Sequence, residues 1–188
     1  MSGVERVDAS GRLSIAVLGD FDGVHTRSWV RWFVGRGHDV HAVSFYRPRV
    51  PLEGVTLHAL RPRPAAGGGD RGGGAGAANR LPRGAVRLVH ALRYHVAGLA
   101  GVVRAIDPDV FHAHFVVEHG FYGALANFHP YVVSAWGSDV LVEPRRDPVS
   151  KRIARWTLRR ADLVTSNNAH MASQIVALGA DPSNVEVV

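Results

Sequence analysis

Two histidines separated by a single residue are the side chains of this sequence with the clearest chemical potential. His112 and His114 lie in a short apolar run, and alternate residues of a β-strand project from the same face. One interpretation makes them metal ligands, with Glu118 or His119 as a third. The other places His114 at the carboxyl end of the strand, where its ring hydrogen-bonds a substrate, and leaves His112 in the core. No other residues have the spacing of ligands, so we expect neither a metal ion nor another cofactor.

A segment with two glycines near the N-terminus offers a place for a phosphate. Glycine lets the backbone approach closely, and the N-terminus of a following helix supplies free N–H groups. The residues that would contact such a phosphate are Gly19, Gly23, His25 and Arg27. The spacing does not match the dinucleotide fingerprint, and Asp20 and Asp22 would repel a pyrophosphate. The alternative is an ordinary strand-to-helix turn in which Asp22 or Thr26 caps the helix.

A third candidate is a loop that directly follows another apolar run. Its residues are Trp136, Gly137, Ser138 and Asp139. Glycine between polar residues favours a tight turn whose N–H groups and carboxylate face a ligand. Asp139 either binds sugar hydroxyls or caps the turn through its side chain.

Seven short apolar runs, alternating with segments of helical periodicity, predict the elements that hold these residues. The strands are expected at about 13–18, 39–45, 55–60, 109–115, 131–135, 162–166 and 185–188, and the helices at about 25–36, 86–106, 119–127, 148–160 and 170–178. Strands that alternate with helices form βαβ units, so we predict an α/β fold with a parallel sheet and helices on both faces. In such a sheet the loops after the strands meet at one edge, where the three candidate segments would converge.

Residues 61–84 differ in kind from the rest of the chain. Pro62, Pro64 and two runs of three glycines leave this segment no means of forming a regular element. Because strands and helices resume their alternation after it, we interpret the segment as a long loop inside one domain that comprises residues 1–188.

The composition excludes several classes of function and partner. The chain has 188 residues, a formal net charge of +6 and no cysteine, which excludes disulfides and thiolate catalysis. A basic helix at 148–160 is either a solvated face or a contact with an anionic membrane surface. Interleaved aromatic residues and a recognition helix are missing, so we expect no nucleic-acid partner. The polar N-terminus has no apolar signal region, which favours a cytoplasmic location, at the inner face of the membrane if the basic helix binds lipid.

Five segments form a pattern through their order and spacing. They are His25-Thr26-Arg27-Ser28-Trp29, Arg36-Gly37-His38-Asp39-Val40-His41, Pro108-Asp109-Val110-Phe111-His112-Ala113-His114, Trp136-Gly137-Ser138-Asp139-Val140 and Arg160-Ala161-Asp162-Leu163-Val164-Thr165-Ser166-Asn167. Together they resemble the N-terminal half of a GT-B glycosyltransferase of the large retaining group called family 4. The resemblance covers nearly the whole chain. It implies a Rossmann-like domain that binds the acceptor and faces a second domain that binds the nucleotide sugar.

The resemblance also implies roles for single residues. Gly19 and Gly23 would approach the donor diphosphate, and His114 would lie near the transferred sugar. Gly137 and Asp139 match the glycine and the acidic residue of the family's His-Gly-x-Asp loop, so that His114 and Asp139 are the implied catalytic pair. Trp136 stands where the family has histidine, and its ring could stack on a sugar or an acceptor ring.

The implied activity is transfer of a sugar from a nucleotide sugar to a glycan, lipid or small-molecule acceptor, in polysaccharide, glycolipid or cell-envelope synthesis. The family's paired glutamates and its nucleotide site belong to a C-terminal domain that would follow Val188. We therefore expect the chain to be inactive alone and to need such a partner. The alternative is a non-catalytic Rossmann-like module that binds a phosphorylated or sugar ligand.

Overall fold

The computed structural model of the chain describes residues 11–61 and 91–188. Its centre is a sheet of seven parallel strands in the order β3-β2-β1-β4-β5-β6-β7. The strands are β1 Ser14–Leu18, β2 Asp39–Tyr46, β3 Thr56–Arg61, β4 Val110–His114, β5 Tyr131–Ser134, β6 Leu163–Ser166 and β7 Val185–Val187. The predicted α/β fold with a parallel sheet is confirmed.

Six α-helices accompany the sheet in the described ranges. They are α1 Val24–Gly35, α2 Leu99–Ile106, α3 His119–Ala126, α4 Glu143–Arg146, α5 Pro148–Leu158 and α6 Ala169–Ala177. Two π-helical segments, Ala91–Gly98 and Ser138–Val142, lead into α2 and α4, and a 3-10 turn at Pro182–Asn184 precedes β7.

The helices cover both faces of the sheet because the chain grows outward from β1 in two directions. From β1 it moves one way to β2 and β3, and from β4 it moves the other way to β7. Right-handed crossovers in opposite directions place their helices on opposite faces. Two separate cores result: Val30 of α1 packs with Ile15 and Val17 on one face, and Leu99 of α2 packs with Ala16 and Phe111 on the other.

The strands form where the sequence has short runs buried on both faces. Residues 15–18 of β1 and residues 111–114 of β4 are all buried, as expected for central strands of a covered parallel sheet. Strands β1 and β4 are neighbours, with Val17 opposite His112 and Leu18 opposite Ala113. The sheet order reverses between these two strands, and their carboxyl ends therefore border the crevice where such folds bind ligands.

Several predicted boundaries need correction. Arg61, which we assigned to the glycine-rich loop, is the last residue of β3, where its backbone pairs with that of Tyr46. The expected continuous helix over 86–106 is π-helical at Ala91–Gly98 before α2 begins. The rest of the predicted loop and residues 86–90 lie outside the described residues. Within the ranges 11–61 and 91–188, no helix has the length and apolarity needed to cross a membrane.

Candidate functional site

Three segments that the sequence marked separately meet at the carboxyl ends of β1, β4 and β5. Gly19 follows β1, and a Cβ built on it would lie 3.5 Å from the Cβ of His114, the last residue of β4. The rings of His114 and Trp136, which follows β5, have centroids 5.2 Å apart. Trp136 in turn packs on His25 of α1, with centroids 4.8 Å apart. The predicted convergence of these three loops is confirmed.

His114 is enclosed at the centre of this group. Its side chain is almost fully buried, with 1% of its surface exposed. Its Nδ1 lies 3.2 Å from Oγ1 of Thr26, and its Nε2 has no hydrogen-bond partner among the described residues. Burial lowers the pKa of His114 well below its ordinary value, and the nearby His112 and His119 lower it further. The imidazole is therefore neutral, with one nitrogen committed to Thr26 and the other free for a ligand.

His112 has the structural role that one of the two interpretations assigned to it. Its Nε2 lies 2.7 Å from Oγ of Ser134, which in turn lies 2.6 Å from Oγ1 of Thr165. Burial lowers the pKa of His112 to about 4. This chain of hydrogen bonds links β4, β5 and β6 beneath the site. No group of three or more histidine, aspartate or glutamate side chains suited to a metal ion occurs in the described part of the chain.

Trp29 completes the aromatic packing around the two histidines. Its ring meets His112 edge-on at 5.3 Å and His114 at 6.2 Å. Neither Trp29 nor Thr26 was singled out by the sequence analysis as a partner of the histidines. Their spacing of three residues near the start of α1, which places both on one face of the helix, is the signal that would have identified them.

The glycine segment forms a tight turn rather than a capped helix start. Gly23 is the N-cap of α1, and no side chain in the described part of the chain caps the helix, so the predicted capping by Asp22 or Thr26 is wrong. Oδ1 of Asp22 accepts a hydrogen bond from the backbone N–H of Arg49 at 2.7 Å. Gly19 is required for close approach, because a Cβ at this position would lie 3.0 Å from Cγ2 of Thr26.

Arg27 has a different role from the predicted phosphate ligand. Its Nε donates to the carbonyl of Phe21 at 2.8 Å, and its two terminal nitrogens donate to the carbonyls of Val50 and Pro51. The guanidinium therefore ties the loop after β1 to the connection between β2 and β3. Its donors are used within the protein, and the structure does not bring Arg27 into the group around His114.

Asp139 is buried and holds two loops together. Its Oδ2 accepts a hydrogen bond from the N–H of Val116 at 2.8 Å, and its Oδ1 accepts from the N–H groups of Gly137 at 2.9 Å and Trp136 at 3.0 Å. Burial raises the pKa of this carboxyl, and the backbone donors oppose that effect. With 0% of its surface exposed, Asp139 positions Trp136 and the residues after His114. This is the capping interpretation of Asp139, and the geometry gives it no direct access to a substrate.

Two further residues of the loops differ in exposure and backbone conformation. Ser138 is exposed to solvent, whereas Gly137 has a φ of 118°, which side-chain-bearing residues rarely adopt.

Phe115, directly after His114, has a φ of 73°, and its carbonyl accepts a hydrogen bond from the N–H of Gly120 at 2.9 Å. A bulky residue in this region is strained, and such strain is concentrated at functional sites. Nothing in the sequence around Phe115 indicated it.

A basic groove lies away from this group, along α5. Its volume is about 430 Å³, and its lining is Arg152, Arg155, Trp156, Arg159 and Arg160. The guanidinium of Arg160 lies 4.5 Å from the centre of the Trp156 ring. The four arginines are exposed, as a solvated face or a contact with an anionic surface would require.

Comparison with known proteins gives the fold and the family. Among solved structures, HepE from Anabaena in complex with UDP-glucose matches with a TM-score of 0.62 and 14% identity, over 94% of this chain and 43% of that protein. A putative UDP-N-acetylglucosamine 2-epimerase from Listeria monocytogenes matches with a TM-score of 0.59 and 12% identity, over 94% and 44%. The lipopolysaccharide outer core galactosyltransferase WaaB matches with a TM-score of 0.53 and 14% identity, over 92% and 44%.

The chain spans less than half the length of each of these three proteins. At such identities the likeness shows the fold, and the expected N-terminal half of a GT-B fold is confirmed. No curated protein sequence matches the chain. The family model described as a glycosyl transferase 4-like domain matches residues 23–188, from the turn before α1 to the last strand. The chain therefore belongs to the glycosyl transferase 4-like domain family.

Proposed function

We propose that the chain is the acceptor-side half of a retaining glycosyltransferase that moves a hexosyl group from a nucleotide sugar to a glycan, lipid or small-molecule acceptor. The observation that carries the proposal is the meeting of Gly19, His114 and Trp136 at the point where the sheet order reverses, in a chain of this family. Such a point is where open α/β sheets bind ligands.

His114 is the residue we assign to the transferred sugar. The neutral imidazole of His114 is held at Nδ1 by Thr26, and its Nε2 finds no partner within residues 11–61 and 91–188. An unpartnered buried nitrogen gains a full hydrogen bond when a ligand supplies the partner. We assign Nε2 to a sugar hydroxyl, with Thr26 and Trp29 as positioning residues that fix the ring.

Trp136 and His25 form the cover of this site. The two rings are tilted against each other with centroids 4.8 Å apart, and the Trp136 ring meets that of His114 edge-on at 5.2 Å, while Nε2 of His114 is closed to solvent. In this scheme the Trp136 ring moves aside to admit the sugar to Nε2 and then stacks on the sugar face. Asp139 holds the backbone of Trp136 and acts as a positioning residue in this scheme.

The donor half of the reaction is assigned to a second domain, in the same polypeptide or on a separate partner. HepE, with which the chain shares its fold, was solved with UDP-glucose, and the chain covers 43% of HepE. Transfer with retention places the acceptor on the face that the leaving phosphate vacates, and stabilisation of the developing charge then needs both walls of the crevice. The turn after β1, where Gly19 lies beside His114, supplies one of these walls.

The proposal is tested by transfer of labelled sugar from UDP- and GDP-sugars. The 188-residue chain alone is expected to transfer nothing, and the complete enzyme is expected to form a glycoside with the anomeric configuration of the donor. His114→Ala in the complete enzyme is expected to lower kcat by about a hundredfold, the loss of one hydrogen bond made in the transition state. Transfer by the chain alone, or conversion of the nucleotide sugar into its epimer without transfer, would overturn the assignment.

We also propose that the basic groove along α5 brings the domain to the cytoplasmic face of a membrane, in support of polysaccharide or cell-envelope synthesis. Its four arginines are exposed, and Val149 on the same helix is 57% exposed, so charge and apolar surface lie together. Co-sedimentation with vesicles should increase with the fraction of phosphatidylglycerol in phosphatidylcholine. The double variant Arg152→Gln/Arg155→Gln should lose this dependence, and binding that ignores the anionic fraction would contradict the proposal.

A further inference from the structure

A second cleft lies at the carboxyl ends of β1 and β2, near the start of α3. Its volume is about 270 Å³, and its lining is Gly19, Asp20, Phe21, Asp22, Ser44, Phe45, Tyr46, Pro48, Glu118 and His119. Clefts that hold drug-sized ligands measure about 300–1,000 Å³, so this one suits a single sugar-sized group. None of the residues used above for the transferred sugar lines it except Gly19, which borders both sites.

His119 is the polar group that points to a ligand in this cleft. It is 8% exposed and stacks flat on Phe45, with ring centroids 5.5 Å apart and an angle of 15° between the planes. Its ring nitrogens make no hydrogen bond to any of the described residues, while its side chain borders the cleft. A ligand in the cleft can supply the hydrogen-bond partner that these nitrogens do not find among the described residues.

The charges around His119 decide what that partner can be. Burial lowers the pKa of His119, and the carboxylates of Glu118 and Asp20 partly oppose this effect. Asp22 is bound to the backbone and the side chain of Arg49. Carboxylates accept hydrogen bonds from hydroxyl and ammonium groups, and they repel phosphates. Among the described residues that line the cleft there is no lysine or arginine, although Arg61 donates a hydrogen bond to the hydroxyl of Tyr46 at 3.2 Å.

The walls of the cleft add apolar surface to these acceptors. Phe21 and Phe45 are buried behind the cleft, and the ring of Tyr46 is partly exposed in its lining. Aromatic walls with a few carboxylates match the two kinds of surface of a sugar ring, its C–H faces and its hydroxyl edges.

On the basis of the proposed function, we propose that this cleft is the acceptor subsite and that it selects a neutral or amine-bearing sugar ring over a phosphorylated one. Asp20 and Glu118 accept hydrogen bonds from the hydroxyl or ammonium groups of the ring, and His119 bonds a further hydroxyl. Gly19 separates this ring from His114, so the acceptor reaches the transferred sugar across the turn that follows β1. Asp20 and Glu118 are specificity-determining residues in this scheme and take no part in the covalent step.

The test is a binding measurement that does not depend on sugar transfer. The proton on Cε1 of His119 is assigned in the NMR spectrum of the 188-residue chain by its loss in His119→Gln, and glucosamine, glucose and glucose 6-phosphate are titrated separately. We expect glucosamine and glucose to shift this signal saturably, and glucose 6-phosphate to bind at least about tenfold more weakly, which is about 1.4 kcal/mol. The signals of His129 and His170, both exposed and outside the cleft, should not move.

Charge variants decide whether the carboxylates set the selectivity. Asp20→Asn keeps the Oδ1 that accepts from the N–H of Asp22, and Glu118→Gln removes no hydrogen bond seen among the described residues. The double variant should lose the preference for glucosamine over glucose 6-phosphate, whereas Glu186→Gln, on the far edge of the sheet in β7, should keep it.

Two results would overturn this inference. One is equal or tighter binding of glucose 6-phosphate, and the other is a His119 signal that none of the three sugars shifts. Failure of the proposed function would look different: the sugars would bind at His119 while the complete enzyme transferred nothing. Transfer by the complete enzyme with an unmoved His119 signal would leave the proposed function intact and reject this subsite.

Discussion

At the scale of single residues, the site depends on side chains that face backbone as much as on side chains that face a ligand. Asp139 receives three backbone N–H groups, and Gly19 lies against Thr26 without room for a side chain. Gly19 and Asp139 fix the positions of His114 and Trp136. Substitutions at these two positions should therefore change the geometry of the site and the stability of the fold.

Asp139→Asn should destabilise the chain by about 1–3 kcal/mol. The amide has one oxygen, so it cannot accept from Val116 on one side and from Trp136 and Gly137 on the other, and a buried N–H loses its partner. Urea unfolding followed by circular dichroism measures the loss. Glu53→Gln, at an exposed position, is the matched control and should change stability little. An Asp139→Asn variant as stable as that control would show that the carboxylate does not hold the loops.

Gly19→Ala should cost about 1–3 kcal/mol through overpacking against Thr26. The new methyl group would lie 3.0 Å from Cγ2 of Thr26, and its displacement would weaken the hydrogen bond from Thr26 to His114. Adding Thr26→Ser removes Cγ2, keeps the hydroxyl and should restore most of the stability. Thermal unfolding of the single and double variants gives the comparison. If the single and double variants were equally stable, the contact with Cγ2 of Thr26 would not be the cause of the destabilisation.

At the scale of elements, the loops after β1 and β2 are joined by Arg27. This guanidinium spans from Phe21 to the carbonyls of Val50 and Pro51, and it explains why an arginine in the first turn of α1 does not face the crevice. The planar fork is what allows contact with several carbonyls, and lysine cannot reproduce it.

Arg27→Lys should therefore increase amide hydrogen exchange in residues 47–52 and leave β4 and β5 protected. Arg31→Lys, one turn further along α1 and exposed, is the control of equal charge. If Arg27 were instead a phosphate ligand, the variant would raise the KM for the nucleotide sugar in the complete enzyme without changing exchange in this loop. The two readouts separate the alternatives.

The strands were predictable from the sequence, and the loop contacts were not. Runs such as residues 15–18 are apolar because both faces of a central parallel strand are covered. Once the strands are recognised as parallel, Gly19 and His114 must lie together at the carboxyl ends of the strands. The partner of Arg27 depends on how the β2–β3 connection folds back, and the choice between ligand and cap for Asp139 depends on the position of Val116. Such contacts join distant segments and leave no local pattern in the sequence.

At the scale of the whole molecule, two buried neutral histidines make the fold sensitive to acid. Burial lowers the pKa of His112 to about 4 and that of His114 well below its ordinary value. The unfolded chain binds these protons near pH 6.5, whereas the folded chain does not. Stability is therefore fully present above about pH 6.5 and is lost as the pH falls from there toward 4.

Each buried histidine should contribute a slope of about 1.4 kcal/mol per pH unit to the free energy of unfolding in this window. Urea unfolding at a series of pH values measures the slope. His112→Gln keeps a polar side chain that can hydrogen-bond Oγ of Ser134, and it should lower the slope by the contribution of one histidine. A pH dependence that is unchanged in this variant would contradict the assignment of a neutral His112.

The hydrogen bond between Thr26 and His114 joins residues that are 88 positions apart. During synthesis Thr26 leaves the ribosome long before His114 does. The hydrogen bond between α1 and β4 can therefore form only after β4 has been synthesised. Parallel pairing of this kind is slow because the chain must close a long loop first. A nascent chain that stops short of β4 thus leaves one backbone edge of β1 unpaired, and chaperones that recognise unpaired strands should bind it until β4 has been synthesised.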